Sequence, residues 1–264
     1  MKILFDNLLK GATFSSVNAS ANYPVKNLDD GFLRLRYQAN VTGDSVTIIT
    51  DEQIALNSIY LSYIGNVDDI EISFFAGDAI QLVTLGPMVA TGDGNIIVTG
   101  DGSTMHFASG PSDYFTDYAG ERQISRHFEM ITGVDKITID LLGDNPFYIG
   151  GVAAGLAEDI PPALAAWDDT YNDESAVSRS SHGQVQALYI EPAMAYTFSF
   201  EGVSMSDFTR IKAAAQAAGP VPVWVTFFED TPEAIPPGYY QVAMTGAMRS
   251  AYTYSFQLSF TEAK

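Results

Sequence analysis

The sequence contains no cysteine, which excludes disulfides, thiolate metal sites and cysteine nucleophiles. It is also poor in positive charge: 13 Lys and Arg stand against 32 Asp and Glu, giving a formal net charge of -19 at pH 7. Because proteins bind nucleic acid largely by neutralising phosphates with Lys and Arg, this balance argues against a nucleic-acid partner. It argues equally against direct adhesion to an anionic membrane, unless a divalent cation bridges the two surfaces.

Long apolar runs are missing as well. No run approaches the about 20 residues that a membrane-spanning helix needs, so we expect no membrane insertion. The apolar run that precedes Asp6 is too short for the core of a signal peptide. We therefore expect the chain to be made and assembled in a cytoplasm.

The sequence also lacks the motifs of common enzyme classes. The histidines His106, His127 and His182 are not spaced as a zinc pair, and no nucleophile elbow, Walker-A loop or dinucleotide-binding loop occurs. We therefore predict no catalysis and no cofactor. His127 falls within a predicted strand, which favours a structural histidine. A glycosidase needs two suitably placed carboxylates, and the abundance of acidic residues alone does not identify such a pair.

What the sequence does contain is mostly strand signals. The chain has 264 residues and is 47% hydrophobic, enough for two β-domains. Segments 46–49 and 70–74 are β-branched or alternate between apolar and polar residues, and 144–152 has the pattern of a closing strand. The composition then shifts to Gly, Ala and Pro, which indicates a boundary. The predicted organisation is a first domain at 1–153, a connector at 154–185 and a second domain at 186–264.

A Thr-Gly-Asp-Gly segment occurs twice, at 91–94 and 99–102. Two Asp-Gly turns around a short strand indicate a β-meander. Calcium is the alternative, with Asp93 and Asp101 as ligands, because Gly-Asp repeats also build calcium turns. The long tandem array typical of such repeats is missing. The acidic connector allows the same two interpretations, a solvated loop or a calcium site.

An aromatic loop at 109–121 is the candidate ligand-binding segment. Tyr114, Phe115 and Tyr118 could stack on a sugar ring or on a neighbouring subunit, and Arg34 could bind the same ligand. The alternative is that these rings cover the end of the β-sandwich.

The second domain carries the one predicted helix, at 206–218. Ser206 is a good N-cap residue, and Gly219 followed by Pro220 would end the helix. The last segment, 252–260, alternates strictly between large apolar and small polar residues, which predicts a strand buried on one face.

Residues 22–31, NYPVKNLDDG, lead into an arginine-aromatic segment. This pattern resembles the opening of discoidin-like, galactose-binding-like jelly-roll domains, especially those of bacteriophage tail proteins. The resemblance implies a first strand at 2–5 and an N-terminal jelly-roll β-sandwich. It also implies that this domain presents a surface that binds a glycan or a receptor protein.

The C-terminal pattern YxFxLxFxE, together with the single helix, is similar to the ring-forming domains of the phage tail-tube and distal-tail families. This resemblance implies a mainly β chain that ends in a β-sandwich or split-barrel domain. It also implies a structural protein of the tail tip or baseplate, located in the virion tail and assembled in the host cytoplasm. The expected partners are other tail proteins, further copies in a trimer or hexameric ring, and a host surface glycan. The alternative is a stand-alone carbohydrate-binding module without catalysis.

Overall fold

The chain folds into two compact units. The N-terminal unit comprises Lys2–Glu158 and Thr226–Gly238, and the C-terminal unit comprises Met1, Asp159–Val225 and Tyr239–Lys264. A computed structural model describes residues 1–28, 36–41, 43–77, 79–85, 104–107, 115–116, 122–161, 167–172, 176–179, 185–188, 193–228, 235, 237–249 and 253–263.

In the first part of the chain, the described residues form a short 3-10 helix, Val25–Leu28, and nine strands. The strands are β1 (Lys2–Leu4), β2 (Thr13–Ser16), β3 (Tyr37–Gln38), β4 (Gly43–Ala76), β5 (Ala79–Leu85), β6 (Thr104–Phe107), β7 (Phe115–Thr116), β8 (Arg122–Ile149) and β9 (Gly151–Gly155). The remainder contains β10 (Glu158–Asp159), β11 (Trp167–Asn172), β12 (Ala176–Arg179), β13 (Val185–Leu188), β14 (Ala193–Ser204), α1 (Met205–Ala218), β15 (Val223–Thr226), β16 (Gly238–Arg249) and β17 (Thr253–Glu262).

The long strands β4 and β8 build both sheets of the N-terminal unit. In one sheet β8 lies between two parts of β4, because Leu141 pairs with Asp44 on one side and with Ile70 on the other. In the other sheet β4 is central, because Leu61 pairs with both Ile124 and Val152. The two sheets share one core.

The alternation of the sequence explains this core. Side chains point to opposite faces of a strand in turn, so every second residue enters the space between the sheets. Of the residues that do so, Val46 and Ile48 on β4 and Ile137 and Ile139 on β8 are fully buried. The predicted fold class, mainly β with an N-terminal β-sandwich, is confirmed.

The C-terminal unit contains neighbouring sheet strands in the order β15-β16-β17-β14-β11, and β16, β17, β14 and β11 pair in antiparallel fashion. Residues 167–172, which the sequence assigns to the connector, form β11 and pair with β14. The predicted alternation of the last strand is confirmed at Phe256, Leu258 and Phe260, which are all buried. Phe256 stacks on Phe200 of β14 with ring centroids 4.9 Å apart.

Helix α1 covers this apolar face. Its buried residues are Phe208 and Ile211, and the Phe208 ring stacks on Tyr254 at a centroid distance of 4.2 Å. The helix is confirmed, but its predicted N-cap is wrong: Ser204, not Ser206, caps it. Ser204 Oγ accepts a hydrogen bond from the Asp207 amide at 3.1 Å and donates one to the Asp207 carboxylate at 2.7 Å.

The reason for the error is that both serines suit a cap. The deciding feature is the acidic residue three positions after Ser204, because both its amide and its carboxylate form hydrogen bonds with the Ser204 hydroxyl. Gly219 ends the helix with a φ of 58°, as the sequence predicts. Among the described residues, no helix combines the length and hydropathy needed to cross a bilayer.

Replacing Phe256 by alanine should strongly destabilise the C-terminal unit. The ring is 2% exposed, and truncating such a buried phenylalanine costs about 3–5 kcal/mol, because the cavity adds to the lost burial. Ser255→Ala, on the opposite face of the same strand, should cost much less. Thermal melts of both variants test this, and equal small shifts in melting temperature would contradict the assigned core face.

Candidate functional site

An arginine stacked on a tyrosine marks the candidate site, in the N-terminal unit. Strand β3 pairs with the end of β8, with Gln38 opposite Tyr148. Arg36 lies immediately before β3, and its Cζ lies 4.6 Å from the centroid of the Tyr148 ring. This distance is within the about 6 Å over which a cation and an aromatic face attract each other. Both side chains are half-buried.

Two glycines allow tyrosines to lie directly on the backbone here. Gly65 of β4 pairs with Tyr148, and a Cβ atom at Gly65 would collide with the Tyr148 ring. Reciprocally, a Cβ atom at Gly150 would lie only 2.7 Å from Cβ of Tyr63. The Gly150 amide donates to the carbonyl of Ser62 at 2.9 Å, which holds the two strands in this register. Strand β4 therefore contributes Gly65 and Tyr63, and the chain opposite contributes Tyr148 of β8 and Gly150, which lies between β8 and β9.

The backbone of β4 is strained at the same place. Tyr63 has a φ of 51° and Asn66 a φ of 58°. Residues other than glycine rarely adopt this left-handed backbone conformation. For a bulky residue it raises the free energy of the folded state by of order 1–3 kcal/mol. Such outliers cluster at ligand-binding and active sites. We call Arg36, Tyr63 and Tyr148 together the Arg36 surface.

The backbone of Arg36 is held from the turn that precedes it. Asn27, in the segment that resembles a jelly-roll opening, donates from Nδ2 to the Arg36 carbonyl at 2.8 Å. On the other side, the fully buried Tyr37 donates its hydroxyl to the Asp44 carboxylate. Burial, together with this hydrogen bond, raises the pKa of Tyr37. Arg36 is therefore presented by an anchored backbone.

The Asp44 carboxylate accepts further hydrogen bonds besides the one from Tyr37. Ser16 Oγ donates to one carboxylate oxygen, and Asn18 Nδ2 donates to the other at 3.2 Å. The carboxylate is nearly buried and has three donors. A buried charge is tolerated when it is hydrogen-bonded in this way, so Asp44 ties β2, β3 and β4 together.

His127 is structural, as the sequence predicts. Its Nδ1 lies 2.7 Å from Ser58 Oγ, and its Nε2 lies 3.1 Å from Thr226 Oγ1. Because Ser58 donates to Asn57 Oδ1 at 2.9 Å, the consistent arrangement has Nδ1–H donating to Ser58 and Nε2 accepting from Thr226. This chain of hydrogen bonds holds the segment that begins at Thr226 against the β4–β8 sheet.

Burial lowers the pKa of His127 to about 3, and the nearby charges of Lys2 and Arg126 act in the same direction. The imidazole therefore stays neutral at pH 7 and is a weak base. Ser58 is fully buried. The pair resembles a catalytic Ser–His pair only in its distance, because the hydroxyl is inaccessible and the base is too weak to activate it.

Most of the predicted site residues lie outside the described part of the chain: Arg34, Tyr114, Tyr118, Asp93 and Asp101. Phe115 lies in β7 and pairs with Gln123, with its side chain outside the description. The predictions made for these residues stay predictions. Among the described residues, no group of three or more His, Asp or Glu is placed to hold a metal ion.

The sequence does not predict the Arg36 surface. Arg36 lies in the arginine-aromatic segment that follows residues 22–31, and Tyr148 lies in the predicted closing strand 144–152. A usable signal was present in Gly65 and Gly150, since glycine inside a strand pattern often marks a close approach by another group. What the sequence could not supply was the pairing that places each glycine against a tyrosine.

Comparison with known proteins gives structural similarities to carbohydrate-binding modules. No protein-family model and no curated protein sequence matches the chain. The family 32 carbohydrate-binding module of C. perfringens NanJ, solved with galactose, is 13% identical. Its TM-score is 0.41, over 60% of this chain and 100% of that one. A chitosan-binding module from a Paenibacillus sp. IK-5 chitosanase/glucanase is 10% identical, with a TM-score of 0.39 over 56% and 98% of the two chains.

A longer protein also matches in part. The chain covers 28% of SpGH29, at 11% identity and a TM-score of 0.40 over 58% of this chain. All of these similarities are too low to carry an argument about function. The Arg36 surface is therefore described from its own geometry alone.

Replacing His127 by glutamine should change how stability depends on pH. The folded-state pKa, about 3, is lower than the ordinary value of 6.5, so protons bind preferentially to the unfolded chain between these values. The contribution of His127 to stability is therefore present above pH 6.5 and is lost as the pH falls toward 3. The wild type should lose about 2 kcal/mol more than His127→Gln between pH 7 and pH 5. Urea unfolding at both pH values measures this, and a pH-independent difference would contradict it.

Proposed function

We propose that the chain is a non-catalytic binding protein whose N-terminal unit takes a neutral carbohydrate at the Arg36 surface. The observation that carries this proposal is the arginine stacked on Tyr148, with its carbonyl held by Asn27. Stacking on Tyr148 restricts the long arginine side chain, and the hydrogen bond from Asn27 fixes the backbone that carries it. Less conformational entropy is then lost when a ligand binds.

The chemistry of this surface suits a sugar. A guanidinium carries its N–H donors in a planar fork, a geometry that suits the oxygen acceptors of a polyol. The half-buried rings of Tyr63 and Tyr148 offer an apolar body with a polar tip, the combination that suits a ligand carrying both C–H faces and hydroxyls. The net charge of -19 would repel an anionic glycan at long range. A neutral sugar is therefore the ligand class proposed.

The buried Ser58–His127 pair supports binding over hydrolysis. It is the one close serine–histidine contact that the structure describes, and its hydroxyl has no exposed area. A neutral imidazole with a pKa near 3 does not act as a general base for an inaccessible hydroxyl.

A second candidate function is a structural role in a phage tail tip or baseplate, as the sequence resemblances imply. One observation favours it: the outer face of the C-terminal sheet is polar and carries few charges. Thr197 Oγ1 lies 3.2 Å from Ser259 Oγ, and Gln257 Nε2 donates to Ser199 Oγ at 3.2 Å. Such a face suits contact with another tail protein. Detecting the chain among the proteins of purified virions tests this role, and its absence from them would exclude it.

Removing the Arg36 guanidinium should weaken sugar binding strongly without unfolding the protein. The test screens the full chain against immobilised neutral and acidic glycans, and then measures the best ligand by calorimetry. Arg36→Ala should weaken binding at least tenfold, since a charged group contributes about 1.5–3 kcal/mol through its hydrogen bonds. Tyr148→Ala should do the same, because it removes the support of the guanidinium.

The matched control is Lys136→Ala. Lys136 Nζ lies 3.8 Å from the centroid of the Phe75 ring, so this variant removes a cation–aromatic contact of the same kind elsewhere in the same unit. Its affinity for the sugar should equal that of the wild type. Failure of the wild type to bind any glycan, or equal losses in Arg36→Ala and Lys136→Ala, would refute the proposal.

A further inference from the structure

Strand β8 has a bulge at which an acidic residue, Glu129, and an apolar residue, Met130, are both exposed. Ser58 pairs with His127 and Leu56 with Ile131, so two steps along β4 correspond to four along β8. The extra residues disrupt the alternation, and Glu129 and Met130 are both exposed although they are neighbours on a strand. The Met130 side chain is 63% exposed. Bulges redirect side chains in this way and are common where a strand serves a function.

The C-terminal unit contains an apolar cleft of about 320 Å³ between α1 and β16. Phe208 and Ala215 of the helix and Val242 and Met244 of the strand form its apolar lining. The cleft exists because the second half of the helix is rich in alanine, and alanine side chains are too short to cover the strand. Val242 and Met244 are half-buried as a result.

The rim of the cleft carries a positive charge. Lys212 lies on the rim, with its Nζ 5.9 Å from the centroid of the Phe208 ring, and Gln216 lies one turn further along the helix. None of the described residues that line the cleft is acidic. In a chain with a net charge of -19, a cation beside an uncharged cleft is a distinctive combination.

We propose that Met130 of one copy inserts into the α1–β16 cleft of another, with Glu129 beside Lys212. The occupant is a second copy because the same chain offers both the exposed apolar side chain with a flanking carboxylate and the apolar cleft with a flanking ammonium. Methionine is flexible and suits irregular apolar sites. The opposite charges fix the orientation and favour this contact over others.

Such a contact joins two different surfaces of the same protein. It is therefore heterologous, and repeated use of it generates a ring or an open filament. One side chain in one cleft buries far less than the about 1,200–2,000 Å² of a stable interface. The contact is consequently weak between two free copies and gains strength when several copies close a ring.

Thiol cross-linking tests the contact directly, because the protein has no cysteine of its own. Thr132→Cys places a thiol near the bulge and leaves Glu129 and Met130 intact. Gln216→Cys places one on the rim of the cleft. The two variants, carrying different tags, are mixed at high concentration with a short bismaleimide, and mixed dimers should form several times faster than with the helix control Ala217→Cys. Ala217 is exposed and lies on the opposite side of the helix from Phe208.

Two further variants show which side chains are responsible. Met130→Ser in the Thr132→Cys chain should lower cross-linking to the level of the helix control, whereas Leu156→Ser, which removes another exposed apolar side chain, should leave it unchanged. Glu129→Lys and Lys212→Glu should each slow it by about two- to fivefold, and the mixture of both should recover the original rate. Equal rates with Gln216→Cys and Ala217→Cys, or no effect of Met130→Ser, would overturn the proposal.

Discussion

The antiparallel pairing of β4 with β8 is the constraint on which the N-terminal unit depends. Each strand is long enough to cross from one sheet to the other, so one pairing sets the register of both sheets and of the core between them. Where the strands cross, the backbone must come close together. Gly65 and Gly150 meet this requirement, and the space left by their missing side chains is taken by Tyr148 and Tyr63. The candidate site is thus a consequence of how the sandwich closes.

This arrangement also explains why the strain at Tyr63 persists. A tyrosine whose backbone is in the left-handed conformation costs free energy. This conformation persists only where the surrounding structure enforces it. Here the Gly150–Ser62 hydrogen bond and the contact of Tyr63 with Gly150 hold the backbone of Tyr63 in place. A rigid backbone holds a binding surface in place, which is the general requirement for a preorganised site.

Local chemistry made part of the molecule predictable from its sequence. The alternation around Phe256 predicted a buried strand face, and the alanine-rich run before Gly219 predicted the helix, because both patterns depend on neighbouring residues. The position of His127 in a strand predicted a structural role, which its two hydrogen bonds confirm.

The parts of the fold and of the candidate site that the sequence does not predict depend on contacts between residues that are far apart in the chain. Arg36 and Tyr148 meet only because β3 pairs with the end of β8, and no local pattern encodes that pairing. The bulge at Met130 is likewise a property of the β4–β8 register rather than of the residues within it. The helix N-cap was misplaced because Ser204 and Ser206 are locally equivalent until the side chain of Asp207 is considered.

The central claim is that the Arg36 surface is where a sugar binds. An NMR titration of labelled protein with the sugar selected by glycan screening tests it most directly, followed through the Arg36 side-chain Nε–H and the ring protons of Tyr63 and Tyr148. We expect these signals to shift together and to saturate with one affinity, while those of Lys136 and Phe75 stay in place. Saturable shifts confined to other residues, with the Arg36 signal unchanged, would contradict it.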